Sequence, residues 1–259
     1  MSIATLYQTV FRKEMALTIR YKWNSLLGLV SVIVLFALLF LGYKGVAGNS
    51  PDYTSGLAHL LTGYILTISA LFFYQDIAQN LSTEASEGVL EMLSMSPFGY
   101  TCIGAVRLCI NSIWNIVMIT AISLVLILIT GRTFEADIGL LLPLMLLFLL
   151  PAIGMSFALG GLQLILKKLD SLMGLLQFLV AILVAIPIDG AFLFARALPG
   201  VLPAHLARSV AAGLITRETL PGDLVTQAIL ISVLWLFVGA LLFRWAEKRA
   251  KRDGHLAHY

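Results

Sequence analysis

Residues 138–165 read IGLLLPLMLLFLLPAIGMSFALGGLQLI and contain no Asp, Glu, Lys or Arg. A helix of about 20 predominantly apolar residues crosses the hydrocarbon core of a bilayer, so this stretch is long enough to span a membrane. Five further apolar stretches occur at residues 25–43, 56–77, 109–130, 171–188 and 224–243. The sequence therefore predicts an all-α polytopic membrane protein, with six transmembrane helices in one domain over residues 1–259.

The composition supports this interpretation. Of the 259 residues, 59% are hydrophobic and only 12% are charged, whereas a soluble domain has about 25% charged residues. The net charge of +3 is scattered along the chain, which argues against a nucleic-acid partner and favours membrane lipid. Cys102 and Cys109 lack metal-binding or disulfide spacing. The four histidines are dispersed, so we expect neither a metal site nor catalytic residues.

The distribution of Lys and Arg predicts the orientation. Twelve of the 17 basic residues lie in the N-terminal segment, in alternate connections and in the C-terminal tail, and five lie on the opposite side. Connections rich in Lys and Arg face the cytoplasm, so both termini are expected there, which requires an even number of spans. Residues 1–24 have the mixed pattern of an amphipathic helix on the membrane face. Residues 244–259 form a basic cytoplasmic tail.

Two connections are too long for simple turns. Residues 80–100, NLSTEASEGVLEMLSMSPFGY, predict a cytoplasmic helix that Ser82 or Thr83 can cap and that Pro97 ends. Residues 189–223 alternate short apolar stretches with Pro and Gly. These stretches are too short to cross a bilayer, so they predict short re-entrant or outer helices before the sixth span.

Few polar groups lie within the predicted spans, and charged residues are nearly absent from them. Asp76 is expected at a span end and Arg107 just before the third span, which disfavours an ion-coupled carrier because such a carrier needs a buried carboxylate. Uncharged polar or amphipathic side chains can either join helices or line a substrate pathway. The candidates for a pathway are Tyr64, Tyr74, Asn111, Trp114, Asn115, Gln163 and Gln177.

The chain has no nucleotide-hydrolysing motif of its own. The dipeptide Gly-Lys of the P-loop does not occur, so ATP hydrolysis by that mechanism would need another polypeptide. The sequence therefore predicts a chain that is not an enzyme and that holds no cofactor.

Residues 84–97, EASEGVLEMLSMSP, carry a family resemblance together with the order of the predicted helices. This motif resembles the one that follows the second span in the permease subunits of type 2 ABC exporters. It consists of acidic residues, a glycine, a Leu-Glu pair and Ser-Pro. The resemblance implies a homodimer in the cell inner membrane, bound to two copies of an ABC ATPase that carry ATP and Mg. It also implies that this connection is a coupling helix, which docks into a groove of the ATPase.

The resemblance assigns roles to particular residues. Glu84, Glu87, Gly88 and Glu91 would form or shape the ATPase contact, Leu90 and Leu93 would anchor it, and Ser96 and Pro97 would end it. Lys167 and Lys168 are placed for a smaller second contact. The scarcity of polar groups in the spans favours export of a hydrophobic or amphiphilic substrate. The alternatives are an ion-coupled secondary transporter, or a permease that resembles haem exporters, for which no haem-ligating histidine is suitably placed.

Overall fold

The computed structural model describes residues 3–48, 53–86, 99–130, 137–166, 170–186, 188 and 190–252. These residues are almost entirely helical, which confirms the predicted all-α class. In chain order the helices are α1 (Ile3–Arg20), α2 (Lys22–Ala47), α3 (Tyr53–Ser86), α4 (Gly99–Thr130), α5 (Ile138–Leu166), α6 (Asp170–Ala185), a 3-10 helix (Gly190–Ala197), α7 (Val201–Ala211) and α8 (Gly222–Arg252).

Within the described ranges, five helices are long and apolar enough to cross a membrane. They contain the candidate spans Ser25–Ala47, Tyr53–Glu84, Cys102–Thr130, Ile138–Leu166 and Gly222–Ala250. The predicted span at residues 171–188 corresponds to α6, which has 16 residues and is about 24 Å long. The hydrocarbon core is about 30 Å thick, so a crossing by α6 and the six-span topology remain predictions.

Two predicted boundaries are wrong. Ser82 and Thr83 do not start a separate helix, because both lie inside α3. The Thr83 hydroxyl donates to the carbonyl of Gln79 at 3.0 Å, one turn earlier in the same helix. At the other terminus, the predicted tail begins inside α8, which continues to Arg252. In both places the predicted span stops where the sequence becomes polar, whereas the helix continues beyond the apolar segment.

The most extensive helix contact joins α5 to α8. Glycines allow the two main chains to meet, since a Cβ at Gly239 would collide with the main chain of Gly154. At Gly161 an added Cβ would lie 3.2 Å from the Cα of Phe243. Small residues permit this close approach in membranes, where association depends on van der Waals contact between helices.

The predicted outer segment, residues 189–223, contains the 3-10 helix and α7. Apolar residues of α7 such as Leu202 and Leu206 are fully buried and share a cluster with Tyr74 of α3 and Phe148 of α5. Gly200 precedes α7 with φ of 79°, a left-handed conformation that glycine adopts without steric cost. The two short helices are therefore packed into the bundle, while their entry into the membrane remains a prediction.

Arg208 of α7 ties this segment to the end of α6. Its Nη1 and Nη2 lie 3.5 and 3.4 Å from the carbonyl oxygens of Ala185 and Ile186. Carbonyls at a helix C-terminus lack partners within the helix and carry partial negative charge, so a cation is favourable there. Trp235 of α8 similarly donates its indole N–H to the carbonyl of Ala197, at 2.9 Å.

Candidate functional site

Four charged side chains from three helices meet where α3 ends and α4 begins. Arg107 of α4 places Nη2 2.5 Å from Oε1 of Glu84 in α3. Its Nε lies 3.2 Å from Oε1 of Glu14 in α1, and Lys13 places Nζ 3.4 Å from the same oxygen of Glu84. We call Lys13, Glu14, Glu84 and Arg107 the ion cluster. It joins α1 to both helices that flank residues 87–98.

The Arg107–Glu84 pair is the buried part of the ion cluster. Arg107 is 5% exposed and Glu84 is 3% exposed. Removing one partner of such a pair costs about 3–5 kcal/mol, because the remaining charge stays buried. The Lys13 side chain is 49% exposed, and exposed pairs contribute only about 0–1 kcal/mol. The guanidinium–carboxylate contact is therefore the main electrostatic link between α3 and α4.

One face of α1 supplies the rest of this contact. Val10, Lys13 and Glu14 are spaced by three and four residues, so they lie on the same side of the helix. Val10 is buried in an apolar cluster with Ile103 and Ile110 of α4. This face is therefore docked on α4 by apolar contacts next to the ion pairs. The predicted amphipathic helix is present, while its position at a membrane surface remains a prediction.

Asp76 lies in the same helix pair, about two turns before Glu84. Asn111 of α4 donates its side-chain amide to Oδ1 of Asp76 at 2.8 Å, and Asn80 donates to the same oxygen at 3.2 Å. The other carboxylate oxygen, Oδ2, is buried, and no described residue forms a hydrogen bond with it. Asp76 is therefore a polar group held between two candidate spans.

The helices that contain the candidate spans carry three charged residues in or near the ion cluster. Asp76 and Glu84 lie within the candidate span Tyr53–Glu84, and Arg107 lies within Cys102–Thr130. Both helices extend further than the apolar stretches that predicted them. Tyr53–Glu84 has 32 residues and is about 48 Å long, which exceeds the hydrocarbon core of about 30 Å, so the expected position of these charges at the span ends remains a prediction. Their charges are tolerated because they face one another across α3 and α4 rather than the surrounding membrane.

Among the predicted coupling residues, only Glu84 lies in the described part of the chain. Its carboxylate pairs with Arg107 and Lys13 within this chain. In this conformation it therefore holds the end of α3 against α4 and α1. The other predicted coupling residues lie outside the described residues: Glu87, Gly88, Leu90, Glu91, Leu93, Ser96, Pro97, Lys167 and Lys168.

The predicted pathway residues do not share one site. The Tyr64 hydroxyl donates to the carbonyl of Val32 at 2.5 Å, which joins α3 to α2, and Tyr74 is buried in the main apolar cluster. Asn111 bonds to Asp76. These three side chains connect helices, as uncharged polar groups in spans commonly do.

The remaining four pathway residues differ widely in exposure. Trp114 and Gln177 are exposed, Asn115 is half-buried and Gln163 is buried. They belong to α4, α5 and α6, and none of them lines the cavity described below. The structure therefore gives no common pathway for this set within the residues it describes.

A separate ion pair lies near the start of α5. Arg217 donates to both carboxylate oxygens of Asp137, which precedes α5. This contact lowers the pKa of the Asp137 carboxyl and raises that of the Arg217 guanidinium, mainly through their hydrogen bond. Both groups are exposed, so the pair fixes a loop position without contributing much to stability.

Sequence reasoning missed Glu14 and the partnership of Arg107. In the sequence, Arg107 counted only as one of the basic residues that predict the membrane orientation. A lone arginine next to a long apolar stretch nevertheless indicates a buried partner. Glu84 and Arg107 are 23 residues apart, and Lys13 and Glu84 are 71 apart. Local periodicity cannot reveal contacts at such separations.

Comparison with known proteins leaves the family open. No family model matches this chain, and no characterised protein is significantly similar to it. The resemblance to type 2 ABC permeases therefore depends on residues 84–97 and on the order of the helices.

Proposed function

We propose that this chain is the transmembrane subunit of an ATP-driven exporter of the type 2 ABC class. It works as a dimer with two copies of a separate ATPase, which carry ATP and Mg. The ion cluster is the observation that supports this proposal. It links both flanks of residues 87–98, the connection that resembles a coupling helix, and it adds α1 to the same unit.

The ion cluster provides a route by which a displacement of residues 87–98 by the ATPase is transmitted to α3 and α4. Reversing a two-state gate from 1:99 to 99:1 takes about 5.5 kcal/mol of differential binding. If α3 and α4 moved independently, displacement of residues 87–98 would be absorbed at their ends. Because Glu84 and Arg107 pair across the two helices, the displacement moves α3 and α4 together. Glu84 thus acts through Arg107, and Glu87 and Glu91 contact the ATPase.

Cargo and topology form part of the proposal. The cargo is hydrophobic or amphiphilic, and the chain lies in the inner membrane with both termini in the cytoplasm. That orientation requires α6 to cross as a sixth span. Single cysteines at Ser2 and His258 test it with a membrane-impermeant maleimide. Labelling of both only from the cytoplasmic side agrees with the proposal, and labelling of either from the outer side contradicts it.

Co-purification tests the ATPase contact. A tagged chain expressed in its own host is expected to retain a P-loop ATPase, and Glu87→Lys with Glu91→Lys is expected to release it by charge reversal. Glu218→Lys provides a matched control at an exposed acidic residue outside residues 80–100. Retention of the ATPase by the Glu87/Glu91 double variant would show that the contact lies elsewhere.

Asp76 favours a second candidate function, an ion-coupled secondary transporter. A carboxylate within a span, with one buried oxygen lacking a hydrogen-bond partner among the described residues, is the kind of group that such carriers use. Its position beside the ion cluster also suits a structural role in joining α3 to α4, so the ATP-driven proposal is preferred.

Vesicles containing the purified chain without an ATPase separate the two functions. Uptake of a fluorescent single-chain amphiphile driven by a proton or sodium gradient, and its loss in Asp76→Asn, would establish the carrier. The ATP-driven proposal predicts no gradient-dependent uptake by the wild-type chain or the variant. The double variant Asp76→Asn with Asn111→Asp provides a control that moves the carboxylate to the opposite helix.

A further inference from the structure

An apolar cavity of about 380 Å³ lies between α3, α4 and α5. Neither Glu84 nor any of the seven predicted pathway residues, all of which the structure describes, lines it. Its volume falls within the range of about 300–1,000 Å³ that is typical of small-molecule sites. The inner part of its wall is formed by Leu66 and Phe148, which are fully buried.

The wall offers almost nothing to a polar ligand. Among the residues that the structure describes, no charged one lines the cavity, and the three hydroxyl groups in its wall belong to Ser69, Thr120 and Ser123. Each hydroxyl donates to a carbonyl one turn earlier in its own helix, at 2.6, 2.8 and 2.7 Å respectively. Their donor hydrogens are therefore already used. A cavity with such walls stays free of water and accepts apolar molecules.

Part of the cavity wall is formed by exposed apolar side chains. Ile116, Leu142 and Leu146 line it and are each about half exposed, and all three lie within candidate spans. In a bilayer, the space next to these side chains contains hydrocarbon. An occupant can therefore enter sideways from the membrane without crossing water.

We propose that the cavity holds one acyl chain of a membrane phospholipid, whose polar headgroup stays at the membrane surface. A linear hydrocarbon chain matches an apolar wall with no unused donors. It also restores the van der Waals contacts that an empty space between helices would lose. This site does not depend on ATP-driven transport, so its test needs no ATPase.

Photo-crosslinking tests the site in nanodiscs. The full chain is reconstituted with phosphatidylcholine that carries a diazirine on one acyl chain, and labelled residues are mapped by mass spectrometry. Leu146 and Met145 in the wall are expected to be labelled several-fold more than Leu38, which is exposed on α2. Equal labelling would indicate ordinary contact with bulk lipid and would overturn the proposal.

Filling the cavity sharpens the test. Ser123→Phe is expected to lower labelling at Leu146 by about tenfold, which corresponds to 1.4 kcal/mol of binding. Ser31→Phe is the control, because Ser31 makes the same kind of bond, to the carbonyl of Leu27, on exposed α2. If Ser123→Phe does not fold, Thr120→Leu adds less bulk to the same wall.

Competition tests whether the acyl chain in the cavity belongs to a phospholipid or to a single-chain amphiphile. If the occupant is a phospholipid chain, unlabelled phosphatidylcholine lowers the labelling at Leu146, and a water-soluble single-chain amphiphile at the same chain concentration does not. Displacement by the single-chain amphiphile in preference to the phospholipid would assign the cavity to cargo and contradict the phospholipid site. Unchanged labelling at Leu146 in both filling variants would also contradict it.

Discussion

The two ends of this chain hold their helices together by different physical means. The α5–α8 pair meets through glycine, where the main chains of Gly154 and Gly239 are in contact. The α1, α3 and α4 group meets through the ion cluster, in which Arg107 joins two carboxylates. Because the two main chains are in contact, α5 and α8 cannot slide along each other without a steric clash. Ion pairs between side chains can break and form again, so this group of helices depends on a few buried charges.

Loss of Arg107 is expected to have the largest effect on stability. Arg107→Leu leaves Glu84 buried without its guanidinium partner, so the free energy of unfolding should fall by about 3–5 kcal/mol. Unfolding in mixed micelles measures this change. Arg12→Leu removes an exposed arginine of α1 and should have little effect. Equal effects of the two variants would show that the buried pair does not hold α3 to α4.

The glycine contact is expected to be the next most sensitive. Gly239→Ala places a methyl group against the main chain of Gly154, and overfilling a close contact costs about 1–3 kcal/mol. Gly174→Ala on α6 is the matched control, since a Cβ there meets nothing within 4 Å. The control should be neutral or slightly stabilising, because alanine favours helix. A stable Gly239→Ala protein would contradict direct contact between α5 and α8.

Within the ion cluster, Lys13 is expected to matter much less than Arg107. Lys13→Ala removes a half-exposed partner of Glu84, so the loss should stay below about 1 kcal/mol. The same unfolding assay at low and high salt measures it, and high salt should reduce the difference further. A loss as large as that of Arg107→Leu would mean that α1 is essential to the cluster.

The smallest expected effect concerns the exposed pair of Asp137 and Arg217. Arg217 lowers the pKa of Asp137 below its ordinary value of 3.8. The contact therefore stabilises the fold above that value and is lost as pH falls through the lowered pKa. Carboxyl carbon NMR measures the titration directly, and Arg217→Gln should return the pKa toward 3.8. An unchanged pKa in that variant would show that the pair does not form in solution.

Hydropathy predicted the helices well and their ends poorly. The stretch at residues 138–165 matches Ile138–Leu166 closely, because charged or polar residues border it on both sides. The stretch predicted as a span at residues 56–77 lies within the longer helix Tyr53–Ser86, since Asp76, Asn80 and Glu84 find partners that allow the helix to continue. Composition along the chain cannot show those partners.

The candidate site was predictable only in part. Residues 80–100 and Glu84 were singled out by local pattern, whereas Glu14 and Arg107 join them through contacts between separate helices. The cavity between α3, α4 and α5 depends on how three helices diverge, so no single stretch of sequence contains its signal. Glycines 154 and 239 carry no mark that distinguishes them from other glycines until their helices meet.

ATP-driven uptake by reconstituted complexes tests most directly whether the ion cluster transmits force. ATP is added outside vesicles that contain the chain and the ATPase expected to co-purify with it, so that only complexes with the ATPase on the outside work, and accumulation of a fluorescent single-chain amphiphile in the lumen is followed. We predict that folded Arg107→Leu complexes retain the ATPase but lose uptake, and that Arg107→Lys retains part of it, because lysine keeps the charge without the two-pronged geometry. Uptake at the wild-type level by folded Arg107→Leu complexes would contradict the account.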